Sequence, residues 1–255
     1  MIRLSANIKK YIQLGSLTLL VIVSLAFSHS RQYIRTSTGV QVMIDNTYEN
    51  YFVEKDEVTE LLNGGLQDYI TGSYLSDLDL RRLESNIENH PYVEKTQVYR
   101  DLQGIVMVEV TQKRPMARLF KRGAKDYYIT ESGEIVNESA KYTARVPLIE
   151  MENSSMIGNV NMNETEYGAN LYKMLTEINE SEFWRAQLAG LSIDKSGEIT
   201  IQPQVTRQLI EFGQPVEVSS KLKKLKIFYK QILPVQGWNT YNRVSVKYEN
   251  QIICE

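Results

Sequence analysis

The strongest hydrophobic pattern in the sequence is an uncharged stretch near the N-terminus. No Lys, Arg, Asp or Glu occurs from Tyr11 to Ser30, and ten of the sixteen residues from Ile12 to Phe27 are Leu, Ile, Val or Phe. Twenty helical residues span about 30 Å, which matches the hydrocarbon core of a bilayer. The pattern therefore predicts a transmembrane helix over residues 11–30, preceded by a tail of residues 1–10.

The charges around this stretch predict its orientation. Basic residues flank it at Arg3, Lys9, Lys10, Arg31 and Arg35. Because three of them precede the stretch and two follow it, the positive-inside rule places residues 1–10 in the cytoplasm and the bulk of the chain across the membrane. A cleaved signal peptide is the alternative, since Ala26-Phe27-Ser28 has the small-x-small form of a cleavage site.

A small α+β domain is predicted next, over residues 40–119. Val40–Ile44 has the composition of a strand, and two helical patterns follow, EKDEVTELL and a second one with Asp77 as its N-cap. Two alternating strands come after them, VEKTQVYR and IVMVEVTQKR. This order predicts a three-stranded sheet with two helices on one face. Its boundary with the following domain is predicted within residues 118–125.

Residues 120–255 are predicted to form a larger mixed α/β domain with an antiparallel-rich sheet. Strand–turn–strand patterns such as DYYITESGEIV and LSIDKSGEITI alternate with helical ones, and the last helix is predicted over residues 219–233. Near the end of the chain, Val244, Val246 and Tyr248 share one face of a predicted strand, and Gln251–Cys254 is predicted as the final strand.

Composition and charge exclude several classes of function. The 255 residues carry a formal charge of −2, whereas nucleic-acid-binding proteins usually present a basic stripe. One Cys and two His supply neither an internal disulfide nor a structural zinc site. No nucleotide-binding or hydrolase motif occurs. We therefore expect no catalytic, cofactor-binding or metal-binding residue and no small-molecule substrate, and the chain is not expected to be an enzyme.

One long segment resembles a known family. HPYVEKTQVYRDLQGIVMVEVTQKRPMARL, residues 90–119, resembles the POTRA-domain signature of the FtsQ/DivIB family of bacterial cell-division proteins. The remaining motifs follow in the order of that family: YYITESGEIV, then VPLIEM, IEFGQP and RVSVKYENQIIC. The KYENQIIC ending is similar to the Bacteroidetes-type branch, which implies an envelope with two membranes.

The resemblance implies a bitopic scaffold of the division machinery. Such a protein would cross the inner membrane once with type II topology, at the division septum, and most of its chain would be periplasmic. It would bind FtsB-like and FtsL-like division proteins and help control septal peptidoglycan synthesis. The alternative is an exported POTRA-type binding module of an envelope assembly or secretion system.

The resemblance also indicates how a partner would bind, by adding a strand to the sheet edge at the C-terminal hairpin. The final run carries neither charge nor proline, the usual protection of an edge strand, although it could also be an interior strand. Lysines on the preceding helix form a solvated face, or they contact an acidic partner or anionic lipid head groups. The predicted partner-binding residues are Tyr248, Gln251, Ile252, Ile253, Cys254, Lys223 and Lys226.

The first prediction concerns the N-terminal segment. Because its apolar run is longer than the usual core of a signal peptide, we expect residues 11–30 to stay attached to the exported part. Intact-mass and N-terminal sequence analysis of the protein from membranes would measure this. A mature N-terminus at or near Arg31 would contradict the prediction.

Overall fold

The computed structural model of the protein describes residues 15–24, 35–64, 69–120 and 125–255. Contacts group these residues into two compact units. The smaller unit extends to Asp45 and resumes from Val53 to Gln112. The larger unit contains residues 46–52 and continues from Lys113 to Glu255.

The N-terminal segment is described only in part. Residues 15–24 form a helix, α1, whose side chains are exposed. Among the described residues, no helix combines the length and the apolar character that are needed to cross a membrane. The two ends of the predicted span, the predicted tail of residues 1–10 and the cleavage motif at residues 26–28 all lie outside the described residues.

The smaller unit has the predicted order of strand, helix, helix, strand, strand. Its elements are β1 (Gly39–Asp45), α2 (Lys55–Leu62), α3 (Leu80–Glu88), β2 (Val93–Arg100) and β3 (Ile105–Gln112). The strands form a three-stranded sheet in the order β1-β3-β2. Strand β3 lies in the centre, parallel to β1 and antiparallel to β2. The predicted α+β fold of this part of the chain is confirmed.

Apolar side chains that alternate with polar ones along the strands form the core of this unit. Val106, Val108 and Val110 are buried on one face of β3, and Val98, which is opposite Val108, is only 5% exposed. The helices contribute the buried side chains Val58, Leu62, Leu83 and Ile87. Each helix therefore covers the apolar face of the sheet with a narrow stripe of its own.

The second helix begins later than predicted. Leu78 is buried with an extended backbone, so Asp77 ends a short 3-10 turn and does not cap the helix. Asp79 is the cap, and its carboxylate accepts a hydrogen bond from the Arg82 backbone N–H at 3.2 Å. Burial of Leu78 thus displaces the helix cap by two residues, from Asp77 to Asp79.

The larger unit contains a mixed nine-stranded sheet. Among the described residues its order is β12-β11-β10-β9-β8-β7-β4-β5-β6, with parallel pairing between β4 and β7, β7 and β8, and β10 and β11. The other pairs are antiparallel, as predicted for most of this sheet. The strands are β4 (Pro115–Phe120), β5 (Tyr127–Thr130), β6 (Ile135–Asn137), β7 (Leu148–Met151), β8 (Leu188–Ile193), β9 (Ile199–Pro203), β10 (Leu209–Gly213), β11 (Arg243–Ser245) and β12 (Ile253–Cys254).

Helices of this unit pack their apolar side chains into one core with the sheet. They are α4 (Glu166–Glu180), α5 (Glu182–Gln187), α6 (Val218–Ile227) and α7 (Leu233–Gln236). The single helix predicted over residues 219–233 is interrupted by a π-helical stretch, Phe228–Ile232. Because the wider turn rotates the helix face, Phe228 and Tyr229 are both buried although they are adjacent.

Pairing of β4 sets the division between the units. Arg118 and Leu119 of β4 lie opposite Leu148 and Ile149 of β7, so β4 is part of the larger sheet. The contacts consequently divide the chain after Gln112, whereas the sequence places the boundary at residues 119–120. Residues 121–124 of the predicted boundary lie outside the described residues.

A buried charge should unfold the smaller unit. Val98→Asp places a carboxylate without a partner in the core, at a cost of about 3 kcal/mol or more, a large fraction of the stability of a small domain. We expect hydrogen exchange, read by mass spectrometry, to show lost protection in β2 and β3. Gln41→Asp, the same change in charge at an exposed position of β1, is the control. Unchanged protection of β3 in Val98→Asp would contradict the strand register.

Candidate partner-binding edge

The final strand lies at one end of the nine-stranded sheet. It pairs antiparallel with β11, with Cys254 opposite Val244 and Ile253 opposite Ser245. The alternative of an interior strand is therefore wrong for the described sheet. The strand is also shorter than predicted, because only Ile253 and Cys254 of the run Gln251–Cys254 are in it.

The hydrogen bonds of β12 show which backbone groups point outward. Glu255 N–H donates to the Arg243 carbonyl at 2.9 Å, and Arg243 N–H donates to the Glu255 carbonyl at 3.0 Å. In an antiparallel pair, alternate residues bond to the same neighbour. Glu255 and Ile253 therefore face β11, whereas the N–H and C=O groups of Ile252 and Cys254 point away from it.

Side chains along this run alternate as well. Ile252 and Cys254 pack against the core of the larger unit, while Ile253 is 37% exposed and Gln251 is exposed. Burial raises the pKa of the Cys254 thiol, which makes it a poor nucleophile. The run thus presents one apolar side chain to solvent and uses two to attach itself to the core.

The hairpin before β12 differs from the predicted one. Val244 and Val246 are buried, but Tyr248 is 54% exposed and does not share their face. Strand β11 ends at Ser245, and Asn250 has a left-handed backbone with φ of 55°. The chain therefore leaves the sheet between residues 246 and 252, which breaks the two-residue alternation.

Two lysines of α6 have structural roles that the sequence interpretation missed. Lys224 Nζ donates to the Val246 carbonyl at 2.9 Å and also to the Tyr248 carbonyl. Lys221 is 4% exposed and donates to the Gln214 carbonyl at 2.8 Å, and desolvation lowers its pKa. The interpretation of the whole lysine row as a solvated face is wrong for these two. Their positions one turn before buried Leu225 and Phe228 are the signal that could have revealed it.

The two lysines predicted to contact a partner are exposed. Lys226 Nζ lies 5.6 Å from the centre of the Phe183 ring, as does Lys230. Lys223 has no hydrogen-bond or ion-pair partner in the described part of the chain. Within those same residues, neither Lys223 nor Lys226 forms a hydrogen bond or an ion pair with Gln251–Cys254. Lys223 and Lys226 are therefore exposed positive charges that make no described polar contact with the final strand.

Arg243 of β11 links β10 to Glu255, the residue after β12, and no sequence motif indicated this role. Its guanidinium donates to both carboxylate oxygens of Glu211 on β10, at 2.8 and 3.0 Å, and to Glu255 at 2.8 Å. The hydrogen bond from Arg243 lowers the pKa of Glu211. This stabilisation is present above the ordinary glutamate pKa of about 4.3 and is lost as the pH falls through the lowered value.

An open cleft of about 450 Å³ lies next to this end of the chain. The start of α6 forms one side, with Val218, Ser219 and Ser220 after Glu217. Glu249 and Asn250 form the other side. The surroundings of the edge therefore carry carboxylates as well as the lysines of α6.

Two of the other sheet ends in the described residues, β2 and β6, are covered by their own chain. At β6, the Ile135 N–H donates to the Val160 carbonyl at 2.7 Å. In the smaller unit, the outward N–H groups of Thr96 and Val98 on β2 donate to the carboxylates of Glu88 and Glu84 at 3.0 and 2.8 Å. Strand β1 is an end strand too. Unlike β2 and β6, β12 thus offers outward groups that no described backbone bond uses.

His90 and the acidic residues are possible catalytic or metal-binding groups in the described part of the chain. His90 Nε2 lies 3.2 Å from a carboxylate oxygen of Glu57, between two helices of the smaller unit. Within the described ranges, no group of three or more His, Cys, Asp or Glu side chains is placed to hold a metal ion.

Comparison with known proteins agrees with this division of the chain. A family model described as FtsQ/DivIB, C-terminal related, matches residues 114–255, and a POTRA-like domain model matches residues 35–111. A search of curated proteins found no significant match. The first model covers β4 through β12, including the sheet end described above.

Removing the Lys224 charge should loosen the segment before β12. Lys224→Met keeps the apolar stem but loses both hydrogen bonds to carbonyls, which we expect to destabilise the larger unit by about 1 kcal/mol because the site is partly exposed. Hydrogen exchange of residues 246–254 should accelerate. Lys223→Met, at an exposed neighbouring position, should change neither measurement. Equal effects of the two variants would contradict the assigned role.

Proposed function

Since this chain belongs to the FtsQ/DivIB-related family of cell-division proteins, we propose that it is a membrane-anchored scaffold of the division machinery. In this role it binds FtsB-like and FtsL-like proteins and helps control septal peptidoglycan synthesis. The scaffold acts by binding and has no catalytic role.

One observation carries the proposal. Strand β12 ends the sheet within the part of the chain that matches the family, and the backbone groups of Ile252 and Cys254 point away from β11. An extended partner segment can hydrogen-bond to such groups and become the next strand. Main-chain bonds of this kind provide affinity with little demand on partner sequence.

Exposed side chains supply specificity in this proposal. Ile253 offers an apolar contact, and Tyr248 offers a ring with a polar tip at the same end of the chain. Lys223 and Lys226 attract acidic residues of the partner and accelerate its association, an effect that salt screens. Gln251 adds a side chain that can donate and accept hydrogen bonds.

The proposed location follows from the N-terminal sequence. Residues 11–30 cross the inner membrane once, residues 1–10 lie in the cytoplasm, and the rest of the chain is periplasmic at the septum. The support is the uncharged stretch of twenty residues and its flanking basic residues. An anchor of this kind confines the binding edge to the membrane surface, where its division partners are embedded.

Loss of the edge should abolish binding and spare the fold. A chain that ends after Asn250 lacks the two-residue ladder of β12, the core contacts of Ile252 and Cys254, and the Glu255 partner of Arg243. We therefore expect its melting temperature to fall by several degrees while the unfolding transition stays cooperative. Ile252→Pro removes a single N–H donor that points outward. We expect both variants to lose capture of the FtsB-like and FtsL-like proteins of the same organism in a pull-down.

Ile252→Val is the matched control, because it keeps the N–H donor and shortens the side chain by one methylene. It should capture the partners as the unaltered chain does. Full binding by the truncated chain would contradict the assignment of Gln251–Cys254. Strand β1 of the smaller unit, the other end strand without a glutamate cover, would then be the next candidate.

A further inference from the structure

A second surface lies in the larger unit, at a cavity of about 670 Å³. Six segments line it: residues 48–51, the start of β4, residues 142–147, the end of α4, Arg185 of α5 and the start of β8. Its volume is within the range of about 300–1,000 Å³ that is typical of ligand sites. It is separate in sequence from β12, and no residue of Gln251–Cys254 lines it.

The charge of the cavity wall is strongly one-sided. Arg114, Arg145 and Arg185 line it, and among its lining residues only Glu49 carries a carboxylate. Arg114 is already paired, since it lies 3.0 Å from Glu131 and 3.8 Å from the centre of the Tyr48 ring. Arg145 and Arg185 are exposed and have no hydrogen-bond or ion-pair partner in the described part of the chain.

Apolar side chains form the rest of the cavity wall. Met116, Leu175, Ile178, Leu188 and Leu191 line it and are buried. Two unpaired guanidinium groups beside apolar residues fit a ligand that has both carboxylates and apolar side chains. A single small anion could pair with the arginines, but it would leave the apolar part of the wall exposed to water.

The wall formed by residues 48–51 is held in place by aromatic contacts. The Tyr142 hydroxyl donates to the Glu49 carbonyl at 2.8 Å, and its ring meets the edges of Tyr51 and Phe52 at 5.7 and 4.9 Å between centroids. Glu49 itself has a left-handed backbone with φ of 54°, which is uncommon for a residue with a long side chain. Because this wall is already ordered, the protein loses less conformational entropy when a ligand binds.

We propose that this cavity binds an acidic peptide segment of a partner protein. Carboxylates of the segment pair with Arg145 and Arg185, and its apolar side chains pack on the wall that includes Met116 and Leu175. This site is additional to the β12 edge, and its occupation does not depend on strand addition.

The experiment uses the full chain in mild detergent and a fluorescein-labelled peptide of alternating glutamate and leucine. Fluorescence anisotropy should show saturable binding that weakens with salt. A double variant, Arg145→Gln with Arg185→Gln, should bind at least tenfold more weakly. The control variant, Lys173→Gln with Lys195→Gln, removes the same charge at exposed positions and should bind like the unaltered chain.

Three results would overturn the proposal: no binding, equal binding of a peptide with glutamine in place of glutamate, or undiminished binding by the arginine variant. Displacement of the peptide by equimolar inorganic phosphate would also overturn it, since the site would then hold only a small anion. Both arginines are exposed, so the variant should melt at the same temperature as the unaltered chain. A chain truncated after Asn250 should still bind the peptide, which separates this site from the β12 edge.

Discussion

A β-sheet must end, and the backbone groups at its ends need partners. In the described part of this chain, that requirement is met in different ways at different ends. Glutamates of α3 cover β2, and Val160 covers part of β6. At β12 the chain instead attaches the last strand firmly and leaves its outer side open. The proposed scaffold role depends on this difference, because a partner strand can be added only to an edge whose backbone groups are still open.

Side chains of β11, α6 and the core stabilise the segment that forms the open edge. Arg243 connects β10, β11 and the terminal residue, while Lys224 holds the carbonyls of Val246 and Tyr248 from the side of α6. Ile252 and Cys254 add apolar contacts to the core. A strand of two residues has too few ladder bonds to be stable alone, so these contacts supply the order that a partner needs in a template.

Much of the smaller unit could be predicted from its sequence, because the regular alternation in β3 and the i, i+3, i+7 spacing of Leu80, Leu83 and Ile87 in α3 indicate the buried positions directly. Errors arose where tertiary packing overrides the local signal. Burial of Leu78 displaces the helix cap from Asp77 to Asp79, and the π-helical stretch at Phe228 divides one predicted helix. The sheet end was predicted from the resemblance, but the partners of Lys224 and Arg243 are long-range contacts that no local pattern encodes.

The glutamate cover of β2 depends on matched spacings. Glu84 and Glu88 are four helical residues apart, or about 6 Å along the axis, and Thr96 and Val98 are two strand residues apart, or about 6.6 Å. The distance between the two glutamates along the helix therefore nearly equals the distance between the two amides along the strand. Inserting one residue between Glu84 and Glu88 would turn one carboxylate about 100° away from its amide. A single-codon insertion at this place would thus uncover one of the two outward amides of β2, so the spacing of the two glutamates keeps this edge closed to strand addition.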